Sequence, residues 1–281
     1  MSDMPAQRRI SLCADDYGMS EGVNRAIRDL IAKRRLSATS VMVVTPAFTR
    51  NEIDALKAVA RDRDGFSIGL HVTLTAPYHP LTIHFRPLKG GEFLKLGKFL
   101  QAAVLRRLDV EILRAEIAAQ IAAFTDMVGK RPDYVDGHQH VQLFPQVREA
   151  FVAAVKEHAP DAWVRQCGRG GLRPARFRDA KALMLDVLSK GFRESATRAG
   201  LKFNPAFEGA YNFSKKPDLP KLFERFLSRL PDGGLIMCHP GFVDQTLVAL
   251  DPLTHQRKQE YDWLMSDNFP KLLAAQNVTL V

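Results

Sequence analysis

The chain has 281 residues, of which 46% are hydrophobic, and a formal net charge of +9. This length is enough for one large α/β domain with a sizeable core or for two small domains, and the hydrophobic fraction excludes a chain that is disordered by composition. No apolar run approaches the roughly 20 residues that span a bilayer, and none follows the basic N-terminus, so we expect neither a membrane span nor a secretory signal. The three cysteines are odd in number and form no CxxC pair, so we expect no disulfide framework. A reducing, cytoplasmic location fits this pattern best.

The basic residues are concentrated in three places, at 33–35, 106–107 and 165–178. A nucleic acid, an anionic substrate or a membrane surface would explain this charge, and so would a solvated basic face. The basic residues are not interleaved with aromatic ones, which argues against a platform for base stacking. The charge alone therefore leaves the partner open.

The predicted elements alternate between strands and helices along the chain. In the first half, we expect strands at Arg9 to Asp16, at Thr39 to Val44, at Phe66 to Leu74 and from Tyr134, with helices at Ser20 to Lys33, at Asn51 to Arg61, at Val110 to Val128 and from about Gln146. In the second half, we expect strands at 162–167, 201–207, 234–239 and 277–281. Roughly eight strands separated by helices predict a single-domain (β/α) barrel over residues 1–281.

One predicted strand carries an unusual polar pattern. The segment YVDGHQHVQLFP, from Tyr134 to Pro145, has Asp136, His138 and His140 at alternate positions. In a strand, these three side chains would share one face. Buried polar groups are costly when unpaired, so the pattern predicts a hydrogen-bond network, a metal or a substrate at this face.

Asp and His side chains also end other predicted strands. Asp15 and Asp16 end the first, His71 lies late in the third, and His239 ends the strand GLIMCH. Each alone has a plain structural explanation, such as a turn or a hydrogen-bonded core histidine. Functional groups of parallel barrels gather at the carboxyl ends of the strands, so we expect these residues to meet at one rim.

Four motifs identify a family. They are ADDYGMSEGVN at 14–24, GLHVTLT at 69–75, VDGHQHVQLFP at 135–145 and CHPGFVD at 238–244. In this order they resemble the YdjC-like (ChbG/HpnK) family of carbohydrate deacetylases over nearly the whole chain. Arg257 and Glu260 resemble the family's R-x-x-E ending, which is a weaker match. Tyr17 and Gly137 depart from the Phe and Ser of many relatives, but neither is an expected ligand.

The resemblance implies a distorted (β/α) barrel that hydrolyses N-acetyl groups of amino sugars with one divalent metal ion. By the family's motifs, Asp16, His71 and His138 would bind the metal, Asp15 would be the general base, and His239 would act as the acid or stabilise the transition state. Such a mixed ligand set accommodates Mg²⁺ or Zn²⁺. The substrate would be an N-acetylated carbohydrate of the chitooligosaccharide type, and an anionic or lipid-linked glycan would also account for the positive charge.

The chemistry fits these residue types. Two imidazoles and one carboxylate that leave positions open are typical of a catalytic metal site. A second, adjacent carboxylate can take a proton from the attacking water. Asp136 or His140 would orient His138 through its other ring nitrogen.

Other functions stay open from the residues alone. A non-haem iron oxygenase also uses two His and one carboxylate, but it needs no second Asp. A metal-dependent phosphoesterase suits the positive charge, and a basic nucleic-acid-binding protein with a vestigial site would bind in a salt-sensitive way without hydrolysis. Segments 76–101 and 165–178 are expected to wall the substrate cleft. A homodimer is compatible with the sequence, which does not determine the oligomeric state.

Overall fold

A computed structural model describes residues 6–169, 180–212 and 217–281. The strands are β1 (Arg8–Tyr17), β2 (Ala38–Val41), β3 (Ser67–Val72), β4 (Leu88–Lys89), β5 (Glu92–Phe93), β6 (Tyr134–Gly137), β7 (Trp163–Val164), β8 (Phe207–Glu208), β9 (Leu235–Cys238) and β10 (Val278–Leu280). The α-helices are α1 (Glu21–Ala32), α2 (Arg50–Arg61), α3 (Leu96–Val104), α4 (Val110–Val128), α5 (Val147–His158), α6 (Ala180–Ala199), α7 (Leu219–Arg229), α8 (Gln245–Leu250), α9 (His255–Met265) and α10 (Asn268–Ala275). A 3₁₀ helix spans His138–Leu143.

One curled parallel sheet forms the centre of the molecule, with strand order β7-β6-β3-β2-β1-β9-β8. Its two edges approach each other, because Val164 of β7 forms a parallel bridge to Phe203 and the N–H of Phe207 in β8 donates to the carbonyl of Gly168 at 3.1 Å. β10 pairs with the beginning of β1, and β4 and β5 form a separate antiparallel pair. The predicted distorted TIM-like (β/α) barrel is confirmed.

The helices form where the sequence provides caps and an apolar face. Ser20 caps α1 by accepting from the N–H of Val23, and Asp109 caps α4. Gly129 ends α4 in the left-handed conformation, which suits a residue without a side chain. The buried face of α4 includes Leu113 and Phe124, so this helix covers the sheet with its apolar side.

The end of β6 differs from the prediction in a way that affects the site. The strand stops at Gly137, and Gln139 and His140 have φ angles of 55° and 60°. These left-handed residues turn the chain out of the sheet directly after His138. The expectation that Asp136, His138 and His140 share one strand face is therefore wrong.

Two other predictions concern the surface. The basic segment 165–178 is only partly described, since 170–178 lie outside the described residues, and its first member, Arg165, is buried rather than solvated. Within the described ranges, no helix is long and apolar enough to cross a membrane. The cytoplasmic location stays a prediction.

Candidate active site

Asp16, His71 and His138 meet at the carboxyl ends of β1, β3 and β6. The Oδ1 atom of Asp16 lies 3.4 Å from Nε2 of His71 and 3.1 Å from Nδ1 of His138. One ligand atom from each residue lies within 4.8 Å of the other two, and all three residues are buried. Tetrahedral bonds of about 2.0–2.1 Å place ligand atoms about 3.3 Å apart, so the spacing around Asp16 fits a small divalent cation.

Asp136 orients His71 from behind. Its Oδ1 lies 2.5 Å from Nδ1 of His71, which leaves Nε2 directed at Asp16, and its Oδ2 accepts from the hydroxyl of Ser40 at 2.6 Å. Burial alone would lower the pKa of His71, but the charges of Asp136 and Asp15 raise it to about 10. The carboxylates around His71 thus favour positive charge at this position. Asp136 orients His71, and not His138 as predicted.

Arg257 holds the other side of the Asp16 carboxylate. Its Nη2 lies 2.7 Å from Oδ2 of Asp16 and 2.6 Å from Oδ2 of Asp251. Burial alone would raise the pKa of Asp16, but Arg257 and then His138 hold it well below its usual range. Asp16 is thus ionised, with Oδ2 fixed by the guanidinium and Oδ1 turned to the two histidines.

The two consecutive aspartates reach the interior together because the strand is irregular there. Side chains of a regular strand alternate between its faces. Asp16 has a φ of 71°, and the pairing of β1 with β2 shifts register between Ala14 and Tyr17. Asp15 and Asp16 are each 1% exposed, so the bulge brings both carboxylates inside the barrel.

Asp15 forms a bidentate ion pair with Arg165. Nη1 of Arg165 lies 2.6 Å from Oδ2 of Asp15, and Nη2 lies 2.7 Å from Oδ1. The same Nη2 also lies 2.6 Å from Oδ2 of Asp136, so one buried guanidinium joins two carboxylates. Burial alone would raise the pKa of Asp15, but the charges of Arg165 and His71 outweigh it and hold the pKa below its usual range.

His239 follows β9 and is placed by Glu260. The backbone N–H of His239 donates to Oε2 of Glu260 at 2.5 Å, and the other carboxylate oxygen accepts from the hydroxyl of Tyr211 at 2.6 Å. The charge of His239 also contributes to the lowered pKa of Asp15, so the His239 imidazole lies within electrostatic range of the Asp15 carboxylate. The R-x-x-E pair therefore supports the site from α9: Arg257 binds Asp16, and Glu260 fixes His239.

His140 contacts a different group of residues. Its Nδ1 lies 3.4 Å from Sγ of Cys167, and its ring packs edge-on against Phe207 at 5.6 Å. The structure thus brings Asp15, Asp16, His71 and His138 together and places His140 to one side. Arg165 and Tyr78 lie in the two segments that were expected to wall the cleft, but neither was singled out from the sequence. Arg165 was one basic residue among several, and Tyr78, whose ring lies 6.0 Å from that of His138, carried no signal within its Pro-rich segment.

Comparison with known proteins agrees with this architecture. The solved structure of an Enterococcus faecalis protein, provisionally assigned to cellobiose-phosphate cleavage, has the same fold, with a TM-score of 0.75 and 19% identity over 98% of this chain and 97% of that one. A lactam utilization protein of Thermus thermophilus is more distant, with a TM-score of 0.54, 16% identity and coverage of 97% and 98%.

Two curated relatives are named chitooligosaccharide deacetylase. The relative from Escherichia fergusonii is 26% identical over 98% of this chain and 97% of its own length. The relative from Yersinia pestis is 29% identical over 84% and 83%, respectively. The family model described as YdjC-like protein matches residues 9–275. The chain therefore belongs to the YdjC-like family.

Proposed function

We propose that the protein removes the N-acetyl group from an amino sugar or oligosaccharide of the chitooligosaccharide type, with a divalent cation held by Asp16, His71 and His138. The observation that carries this proposal is the meeting of these three side chains beside a second buried carboxylate, Asp15. The prediction that the chain is a carbohydrate deacetylase also agrees with the names of both curated relatives.

The chain's own groups suit the proton transfers of amide hydrolysis. A bound divalent cation polarises a carbonyl and lowers the pKa of water. Asp15, held ionised by Arg165, accepts a proton as the water oxygen bonds to the carbonyl carbon. His239, fixed through Glu260, gives a proton to the nitrogen as the C–N bond breaks. The products are acetate and the free amine. Mg²⁺ and Zn²⁺ are both candidates for the cation. An anionic or lipid-linked glycan is a candidate substrate, and a homodimer is a candidate assembly.

The test is acetate release from N-acetylated chitooligosaccharides by metal-free protein reloaded with zinc, magnesium, cobalt or manganese in turn. The proposal expects release that depends on the metal and is lost in His138→Ala. His158→Ala is the matched control, because His158 lies on the partly exposed end of α5. Stoichiometric metal binding without acetate release would refute the proposed N-acetylated substrate and direct the search to phosphoesters. Absence of both metal binding and acetate release would refute the proposed metal site.

A further inference from the structure

Tyr78 lies beside the metal-binding histidines with an unusual hydroxyl. The residue is 3% exposed, and its ring packs edge-on against that of His138 at 78°. Within the described part of the chain, its Oη atom has no hydrogen-bond partner. A buried hydroxyl without a partner costs free energy, and few occur in native proteins. This hydroxyl therefore requires an explanation.

The surroundings of Tyr78 point to a substrate rather than to packing. A second buried donor near Asp16, the Nη1 atom of Arg257, is also without a partner among the residues described. Two buried donors, on residues that contact His138 and Asp16 respectively, thus lack a partner among the described residues.

The backbone around Tyr78 is held firmly. Its carbonyl accepts from the N–H of Phe93 at 2.9 Å. The buried carboxylate of Glu116 accepts from the N–H groups of Leu81 and Thr82 at 3.0 and 2.9 Å. These bonds limit the movement of the backbone that carries the Tyr78 side chain, and a donor held in place is what stabilising developing charge requires.

On the basis of the proposed function, we propose that the Tyr78 hydroxyl is a catalytic hydrogen-bond donor to the carbonyl oxygen of the substrate's acetyl group. The oxygen gains negative charge as water adds to the carbonyl carbon, so the bond strengthens in the transition state. The hydroxyl donates a hydrogen bond and keeps its proton, and Asp15 and His239 remain the groups that transfer protons. The N-acetyl group supplies the acceptor that this atom lacks among the described residues.

Tyr78→Phe tests this role, with Tyr261→Phe as the matched control because the Tyr261 hydroxyl bonds to Asp29 of α1 at 3.4 Å. In the metal-loaded enzyme, we expect Tyr78→Phe to lower kcat about 100-fold or more with a small change in KM, as loss of an oxyanion donor does. The urea midpoint should not fall, because the Tyr78 hydroxyl has no hydrogen-bond partner in the part of the chain that the structure describes. A kcat within about threefold of wild type, or a lowered midpoint that accounts for the lost activity, would overturn the role.

A second measurement does not depend on turnover. Metal-free protein is titrated calorimetrically with an N-acetylated chitooligosaccharide and with its deacetylated form. We expect Tyr78→Phe to reduce the preference for the acetylated sugar by roughly 2- to 10-fold, the value of one hydrogen bond. An unchanged preference would contradict the contact. If the wild-type enzyme releases no acetate with any metal, the proposed function fails, whereas wild-type activity with a fully active Tyr78→Phe variant refutes only the role of Tyr78.

Discussion

Replacing Arg165 with Met should destabilise the protein more than any surface charge change. Arg165 is fully buried and is the shared partner of Asp15 and Asp136, with N–O distances of 2.6–2.7 Å. Met keeps an unbranched side chain of similar reach but removes the charge. The variant therefore leaves two buried carboxylates without their guanidinium.

The magnitude follows from this loss of pairing. Removing one partner of a buried ion pair typically costs about 3–5 kcal/mol, because the remaining charge is buried and unpaired. We expect Arg165→Met to lose about this much free energy of unfolding at neutral pH. Adding Asp15→Asn removes one of the stranded charges, so the double variant should lose less than the sum of the single losses, with a coupling of about 0.5–3 kcal/mol.

The effect should depend on pH in a defined direction. In the wild-type protein, the folded-state pKa of Asp15 lies below its unfolded value of 3.8, so its contribution to stability is present above about pH 4 and declines at lower pH. Without Arg165, burial dominates and the folded-state pKa rises. The difference in stability between Arg165→Met and wild type should therefore be largest near neutral pH and shrink toward about pH 4.

The assay is urea unfolding of metal-free protein across this pH range. Arg9→Met is the control, because Arg9 forms an exposed pair with Asp232 and its loss should not change the midpoint measurably. A loss below about 1 kcal/mol for Arg165→Met, or a loss that is independent of pH, would refute the reasoning that Arg165 compensates buried carboxylates.

Three other results are expected. His138→Ala should reduce bound metal from about one ion per chain to nearly none by elemental analysis, with His158→Ala retaining it. All three cysteines are buried and burial raises the pKa of their thiols, so Ellman's reagent at about pH 8 should detect no thiol before unfolding and about three after it. Glu116→Gln should lower the free energy of unfolding by about 1–3 kcal/mol and speed hydrogen exchange at the Thr82 amide, because the new side-chain amide faces N–H donors. Unchanged exchange at Thr82 would contradict this anchoring by Glu116.

The barrel and the meeting of the candidate site residues at one rim could be predicted from local patterns, whereas their proposed role as metal ligands came from the resemblance to the family. Alternating strands and helices indicate a parallel sheet, and parallel strands place their carboxyl ends at one rim. Asp16, His71 and His138 each lie at such an end, and the structure brings them together. No long-range information beyond this rule was needed to group these residues.

Arg165 and His140 show where local patterns are insufficient. Arg165 pairs with Asp15 across 150 positions of sequence, and a basic residue in a basic segment gives no sign of such burial. His140 keeps the spacing of a strand face, but the left-handed backbone at Gln139 and His140 removes it from that face. Backbone dihedrals at a strand end depend on what the next element packs against, which periodicity does not encode.

The bulge at Asp16 connects these observations. A left-handed non-glycine residue costs about 1–3 kcal/mol and persists only where its surroundings fix it. Here Arg257 binds one oxygen of Asp16 while the other faces His71 and His138, so the contacts of the side chain hold the backbone conformation. A regular strand would turn either Asp15 or Asp16 away from the barrel interior. The irregular strand thus allows two adjacent carboxylates to take separate arginine partners within one site, as the proposed roles of Asp16 in holding a cation and of Asp15 in accepting a proton require.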